Sequence, residues 1–433
     1  MRRRTISLLV LAGILAVAAT VSLSASATTR KPVFVPPDAV VTWDTYTVNA
    51  VRSSTPTKVQ TDGMVYMSYV EAAVYDAVTK LLGRYQPYHD FTATVVPGAS
   101  VQAAVAAAAQ TTLDHYLPDQ QPTVDAEYNA YIAGLTGSGI NDGVSVGQAA
   151  ANDIIALRTG DGLNNPNVPS YGQNGPILPG QWQLLPGQKV QTPWLATMRP
   201  FLLDEPNQFR APPPPALTSD QYAKDLNETE AYGSATSSVR TPEETYIAYF
   251  WVGNNINQYN LAMQSVIAQH NMDLVDAEHL FAMGNIVTTD AGIACYDSKF
   301  FYQAWRPTAA IQNADKDNNP DTTADPSWQP LGNLPGHPEY PSQHGCFTAA
   351  FVDTLAQALH TQRIDVDIQG GENNSSVLTT TQHFENVQDV LNQVVDARVW
   401  LGFHFRNTVE VGEKLGNKVA NWELKQFFKK ADQ

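Results

Sequence analysis

The chain has 433 residues, 43% of them apolar and 16% charged, with two cysteines; it can bury a large core and is neither wholesale disordered nor a disulfide-rich scaffold. Acidic residues outnumber basic ones 42 to 26, a net charge of −16, so the surface repels polyanions and nucleic acid is excluded as a main partner. Any anion site must be a local concentration of cations against that background.

In chain order, residues 1–27 read as an export segment. Arg2, Arg3 and Arg4 make a basic start, 8–19 is an apolar run, and Ala25-Ser26-Ala27 is a small-residue cleavage site. The run is shorter than the roughly 20 residues that span a bilayer, and no later stretch reaches that length. The expectation is a soluble, secreted or periplasmic protein with no membrane partner. Cys295 and Cys346 sit in apolar surroundings and read as buried thiols rather than as a bridge.

The remainder reads as mostly helical. Met64, Met67, Val70, Val74, Ala77 and Leu81 form a helical stripe over 64–82. The alanine-rich 101–117 favours helix, 124–135 follows Pro122 as another, and 144–157 continues the pattern. From 160 to 219 the texture changes: glycine, proline and asparagine crowd a long excursion ending in Pro212 to Pro215, which is extended. Helices resume at Thr241-Pro242-Glu243-Glu244, a capping threonine with proline first and glutamate third. One long helix, or two in series, covers 272–303, and 313–340 is a polar loop. Helices follow over 347–359, 387–401 and 408–428. There is no internal repeat, and β-alternation is scarce.

Three segments at the joints between these helices concentrate cations, hydroxyls and imidazoles. Lys299 and Arg306 are seven residues apart, about two helical turns, so on one helix they face the same side; alone, the pair also fits two cations snorkelling on a surface. Pro341-Ser342-Gln343-His344-Gly345 precedes an apolar helix, whose N-terminal N–H groups and dipole hold oxyanions. Ser342 adds a hydroxyl, or is simply an N-cap, and His344 adds a group able to move a proton. Arg398 and His404 are six residues apart, about 600° of helical rotation, so they diverge unless Gly402 breaks the helix. His404 alone fits a satisfied core histidine better than a ligand. Together the three segments suit a small, multiply charged tetrahedral oxyanion and offer it one nitrogen.

The pattern lysine, six residues, arginine-proline; then proline-serine-x-histidine; then arginine, five residues, histidine resembles the vanadium-dependent haloperoxidase and type-2 phosphatidic acid phosphatase superfamily. The strings Asp290–Cys295, His337–Ser342, Gly402–Arg406 and Gln208–Pro215 leading to Gly233–Ser238 resemble its secreted bacterial haloperoxidase branch. The resemblance implies an all-α helical-bundle fold and orthovanadate as cofactor. Lys299, Arg306 and Arg398 would neutralise the vanadate oxygens. Ser342 and the backbone N–H of Gln343 would hydrogen-bond one of them. His404 would supply the nitrogen bonded to the metal, and His344 the acid–base group. Gln343 departs from the family's usual glycine, so its side chain must point away. His344 would take a proton from hydrogen peroxide and Lys299 would polarise the oxidant for attack by halide. The hypohalous product would then halogenate a small organic acceptor.

His337, with Tyr296, marks a halide pocket resembling that of bromoperoxidases, which points to bromide and iodide over chloride. The alternative is an exported acid phosphatase with His404 as nucleophile and His344 as leaving-group acid. Phosphatases of the superfamily place an orienting aspartate four residues after that histidine. Here Thr408 stands there, which favours the haloperoxidase. An N-terminal helical part with a proline-rich wall is expected over 28–225, and a C-terminal bundle carrying the oxyanion site over 226–433.

Overall fold

A computed structural model describes residues 34–169, 171–172, 178–371 and 379–431; the expected export segment, 1–27, lies outside them. The described residues form thirteen α-helices and one small hairpin. In chain order they are α1 (Asp38–Ser53), α2 (Gln60–Leu82), α3 (Val101–Tyr116), α4 (Gln121–Gly134), α5 (Ile140–Arg158), α6 (Asp220–Gly233), α7 (Pro242–Phe250), α8 (Asn255–Gln269), α9 (Leu274–Tyr302), α10 (Pro307–Gln312), α11 (Gln343–Leu359), β1 (Arg363–Gly370), β2 (Thr380–Asn386), α12 (Val387–Trp400) and α13 (Arg406–Glu423). Residues Val35–Gln433 cluster as one compact unit. Among the described residues, no helix is long and apolar enough to cross a membrane.

The axis of the bundle is α9, 29 residues long and buried at almost every position from Leu274 to Phe300. A helix apolar all round belongs in the centre of a large fold, and α2, α11 and α13 pack around it. Asp273 caps its start by accepting the N–H groups of Val275 and Asp276. The 178–219 segment is strapped to the same helix. The Asp290 carboxylate accepts the N–H groups of Phe201, Leu202 and Leu203 at 2.7, 2.6 and 3.0 Å, and Arg210 forks onto Asp297.

The pairing that matters most for function is α11 against α13. A Cβ at Gly345 would lie 2.5 Å from the Val409 carbonyl, and one at Gly412 would lie 2.6 Å from that of Ser342. Only glycine permits this approach of backbones. It brings the start of α11 against the start of α13, where the Ser342 N–H donates to the Thr408 carbonyl at 3.0 Å.

Thr241 forms the full capping box expected of α7. β-structure is scarce among the described residues, as expected, and is confined to one hairpin. Ile364, Val366 and Ile368 of β1 alternate inward with polar neighbours outward, and the strand pairs antiparallel with β2. An eight-residue alternation between long helices is a genuine strand signal, and β1 covers one flank of α8. Both cysteines are buried free thiols.

Several carboxyls are buried far from cations. Burial pushes Asp44 up to about 7 and Glu71 and Glu278 well above the usual range. A folded-state pKa raised above the unfolded value means the native state holds more protons, so stability falls as pH rises through that window. The buried histidines, neutral when folded but partly protonated near pH 6.5 in the unfolded chain, act in the opposite sense, so the carboxyl contribution is read from a difference between two proteins. The thermal midpoint of wild type minus that of Glu278→Gln, which removes one titrating carboxyl and leaves the histidines in place, should decline from pH 6.5 to 8. Melting curves of both proteins check this; a difference that rises over the same range contradicts it.

Candidate active site

The joints of α9, α10, α11, α12 and α13 converge on one buried site. Lys299 occupies the last turns of α9, fully buried, and its Nζ donates to the carbonyls of Pro338 and Glu339, both at 3.0 Å. The helix ends at Tyr302 because Gln303 is left-handed, at φ 48°. Arg306 is therefore not on the same helix, as the spacing alone suggested, but caps α10 ahead of Pro307. The turn at Gln303, rather than helical periodicity, brings the two cations together. The Arg306 guanidinium is bonded through all three nitrogens: Nε donates to the His337 carbonyl, Nη1 to the Phe403 carbonyl, and Nη2 to His337 Nδ1, all at 3.0 Å. Nη1 also points at His404 Nε2, 3.2 Å away.

Ser342 is the N-cap of α11, with Gln343 and His344 in the first turn. The Gln343 side chain accepts from Thr61 Oγ1 and the Tyr296 hydroxyl, both at 2.9 Å. The glutamine that replaces glycine is thus held toward α2 and α9, at the cavity wall. His344 Nε2 is buried without a partner, while its ring also meets the Trp251 backbone.

Arg398 lies in the last turn of α12. Its Nη1 donates to the Trp251 carbonyl at 2.8 Å, its Nε has no partner, and the guanidinium sits 4.9 Å from the Phe403 ring centre. After α12 the chain reverses at Gly402, whose φ is +72° and where a Cβ would meet the Gly233 carbonyl at 2.6 Å. The break turns His404 back toward Arg398, whose carbonyl accepts the His404 N–H at 3.4 Å.

Residue Glu339 is the piece that spacing did not reveal. Its Oε1 accepts from His404 Nδ1 at 2.9 Å, the Phe405 N–H at 3.2 Å and Thr408 Oγ1 at 2.5 Å. The absence of aspartate at 408 therefore does not leave His404 unoriented: Glu339 supplies the carboxylate from across the site, and Thr408 helps to hold it. That removes the ground on which Thr408 separated the two candidate activities. The one signal available in sequence was an acid inside a proline-bracketed string, three residues before Ser342.

Tyr296, His337, Gln343, His344, Arg398 and His404 line one cavity of about 800 Å³, and Lys299, Arg306 and Ser342 are buried next to these lining residues rather than in the lining itself. The His337 and Tyr296 rings are 5.4 Å apart. Burial pushes Lys299 down to about 8, Arg306 to about 10 and Arg398 to about 9. Burial, and then these cations, hold His337, His344 and His404 well below the usual imidazole range, so all three are neutral at pH 7. Burial pushes Glu339 up to about 7, against the pull of Thr408, Arg306 and Lys299.

Three buried cations thus face one carboxylate. Uncompensated buried charge is costly, and two polar atoms here, His344 Nε2 and Arg398 Nε, have no partner. Both observations fit a tetrahedral oxyanion. Among the described residues, no cluster of three or more histidine, cysteine, aspartate or glutamate side chains offers a cation cage.

Residues 279–432 match the model of the VCPO second helical-bundle domain. The vanadium chloroperoxidase of Curvularia inaequalis is 27% identical over 215 residues, 43% of this chain and 34% of that protein, so the match spans about a third of the relative's length. A bacterial vanadium-dependent iodoperoxidase superposes with TM-score 0.76 at 18% identity, covering 93% of this chain and 99% of its own. A holo-type bacterial vanadium-dependent chloroperoxidase gives 0.66 at 19%, covering 84% and 91%. Residues 279–432 are thus similar to the VCPO second helical-bundle domain, and most of the chain's length shares the fold of the bacterial vanadium-dependent haloperoxidases.

Proposed function

We propose that the protein is a vanadate-dependent haloperoxidase that oxidises halide with hydrogen peroxide and a proton to hypohalous acid and water. The observation that carries this reading is the set of three buried cations around the His404 Nε2 lone pair, with one carboxylate to answer them. When bound, vanadate supplies a Lewis-acidic centre at which peroxide becomes an electrophilic oxygen donor without a change of metal oxidation state. Lys299, Arg306 and Arg398 neutralise its oxygens, and Ser342 with the first N–H groups of α11 donates to them. His404 offers Nε2 to the metal. The unpartnered His344 Nε2 takes the proton that peroxide gives up. The hypohalous product halogenates a small organic acceptor.

Bromide and iodide are favoured over chloride. They are the easier halides to oxidise, and the pocket beside Tyr296 presents the polar His337 ring, which Arg306 holds in place. A monochlorodimedone assay of the apoprotein tests the whole reading. Bromination should appear only after orthovanadate is added and should exceed chlorination at the best pH of each.

The orientation of His404 by Glu339 favours a second reading, an exported phosphatase with His404 as nucleophile, because a nucleophilic imidazole needs such a carboxylate. Hydrolysis of p-nitrophenyl phosphate without vanadate, together with no halogenation in its presence, would make that the better account.

A further inference from the structure

We infer that Glu339 is a positioning residue that makes His404 a metal-binding nitrogen, and that it thereby sets the preference of the site for vanadate over phosphate. The inference rests on the haloperoxidase reading above.

Two independent contacts fix the His404 tautomer. The Glu339 carboxylate is acceptor-only when ionised, so the ring nitrogen 2.9 Å from it, Nδ1, carries the proton. Arg306 Nη1 is donor-only, so the nitrogen 3.2 Å from it, Nε2, carries the lone pair. The opposite tautomer would place a proton where a metal must bond and would leave Nδ1 facing the carboxylate lone pair to lone pair.

The placement of Glu339 is itself over-determined. Its N–H donates to the Ala304 carbonyl at 3.0 Å, and its carbonyl accepts from Lys299 Nζ at 3.0 Å. Its side chain is gripped by the Phe405 N–H and Thr408 Oγ1. One residue therefore fixes the spacing between the Lys299 ammonium and the His404 ring. A carboxylate on the far nitrogen also raises the basicity of the near one, and losing such a partner typically weakens metal binding by about 10–100-fold.

Vanadate and phosphate share shape and charge but use His404 differently. The cations and the α11 terminus hold both anions, whereas only a metal centre accepts a bond from Nε2 at rest. Removing the carboxylate should weaken vanadate while leaving phosphate equal or tighter, because the site becomes more positive.

The test is equilibrium binding of orthovanadate and of inorganic phosphate to the full-length apoprotein, by calorimetry. Glu339→Gln keeps size and an acceptor oxygen, and should bind orthovanadate about 10–100-fold more weakly with phosphate unchanged or tighter. Thr408→Val should shift the ratio in the same direction by less. In a His404→Ala background, Glu339→Gln should no longer change the ratio. If both anions bind more tightly to Glu339→Gln, the residue is only a counter-charge and the inference fails. If both weaken equally, it is only a structural support and the inference fails likewise. If the wild-type apoprotein does not prefer orthovanadate to phosphate, the haloperoxidase reading itself falls.

Discussion

His344→Ala should cut peroxide-dependent bromide oxidation by about 10²–10⁴-fold, the usual worth of a positioned acid–base group, while orthovanadate still binds. His344 Nε2 is buried, lines the cavity and has no partner within the protein. An orphaned imidazole nitrogen in such a place carries a desolvation cost that a merely structural histidine would avoid by pairing. Burial first, then Arg398 and Lys299, keep the ring neutral, so it can accept a proton at pH 7. Anion binding draws instead on Lys299, Arg306, Arg398 and the α11 terminus, none of which changes in this variant. Titrating the variant with orthovanadate and measuring its turnover separates an enzyme from an exported protein that only sequesters oxyanions. Turnover within a few-fold of wild type would remove His344 from the mechanism.

Much of this was legible in the sequence, for reasons that differ from residue to residue. Helix caps act locally, so Thr241-Pro242 announced α7, and the alanines and apolar stripes announced α2, α3 and α9. Helix α8 was missed because its stripe is blurred by buried amides: Asn260 and Asn285 hydrogen-bond each other at the α8–α9 contact. In the site, the residue types were readable but their convergence was not. Lys299 and Arg306 meet through a left-handed turn at Gln303, a residue with no propensity for one. Arg398 and His404 meet through Gly402, where glycine was at least a visible break. Glu339 was silent, because its partners lie 65 to 69 positions away and no spacing rule reaches across two loops. Position 408 speaks only for its own helix: it shows that no carboxylate stands four residues after His404, whereas one reaches the ring through space from Glu339.

Arg398→Met should stabilise the empty protein while destroying its response to oxyanion, so that the order of thermal midpoints reverses on adding orthovanadate. Burial and the nearby Arg306 together push Arg398 down to about 9, meaning that its charge is disfavoured where it stands. Its Nε is unpartnered, and Nη1 donates to the Trp251 carbonyl. Methionine matches much of the length, packs on Phe403 and removes both the repulsion and the orphaned donor. Replacing buried charge with apolar volume of similar size commonly gains about 1–4 kcal/mol, a shift of a few degrees in a chain of this size. With orthovanadate the sign changes. A ligand at 100 times its dissociation constant adds about 2.7 kcal/mol to the native state. Losing a charge-assisted donor, worth about 1.5–3 kcal/mol, removes most of that gain. Wild type should therefore melt below Arg398→Met without orthovanadate and above it at saturation. Such a crossover identifies Arg398 as charge retained for function at the expense of stability. A variant that melts lower than wild type in both conditions would instead show that the empty site already balances its cations.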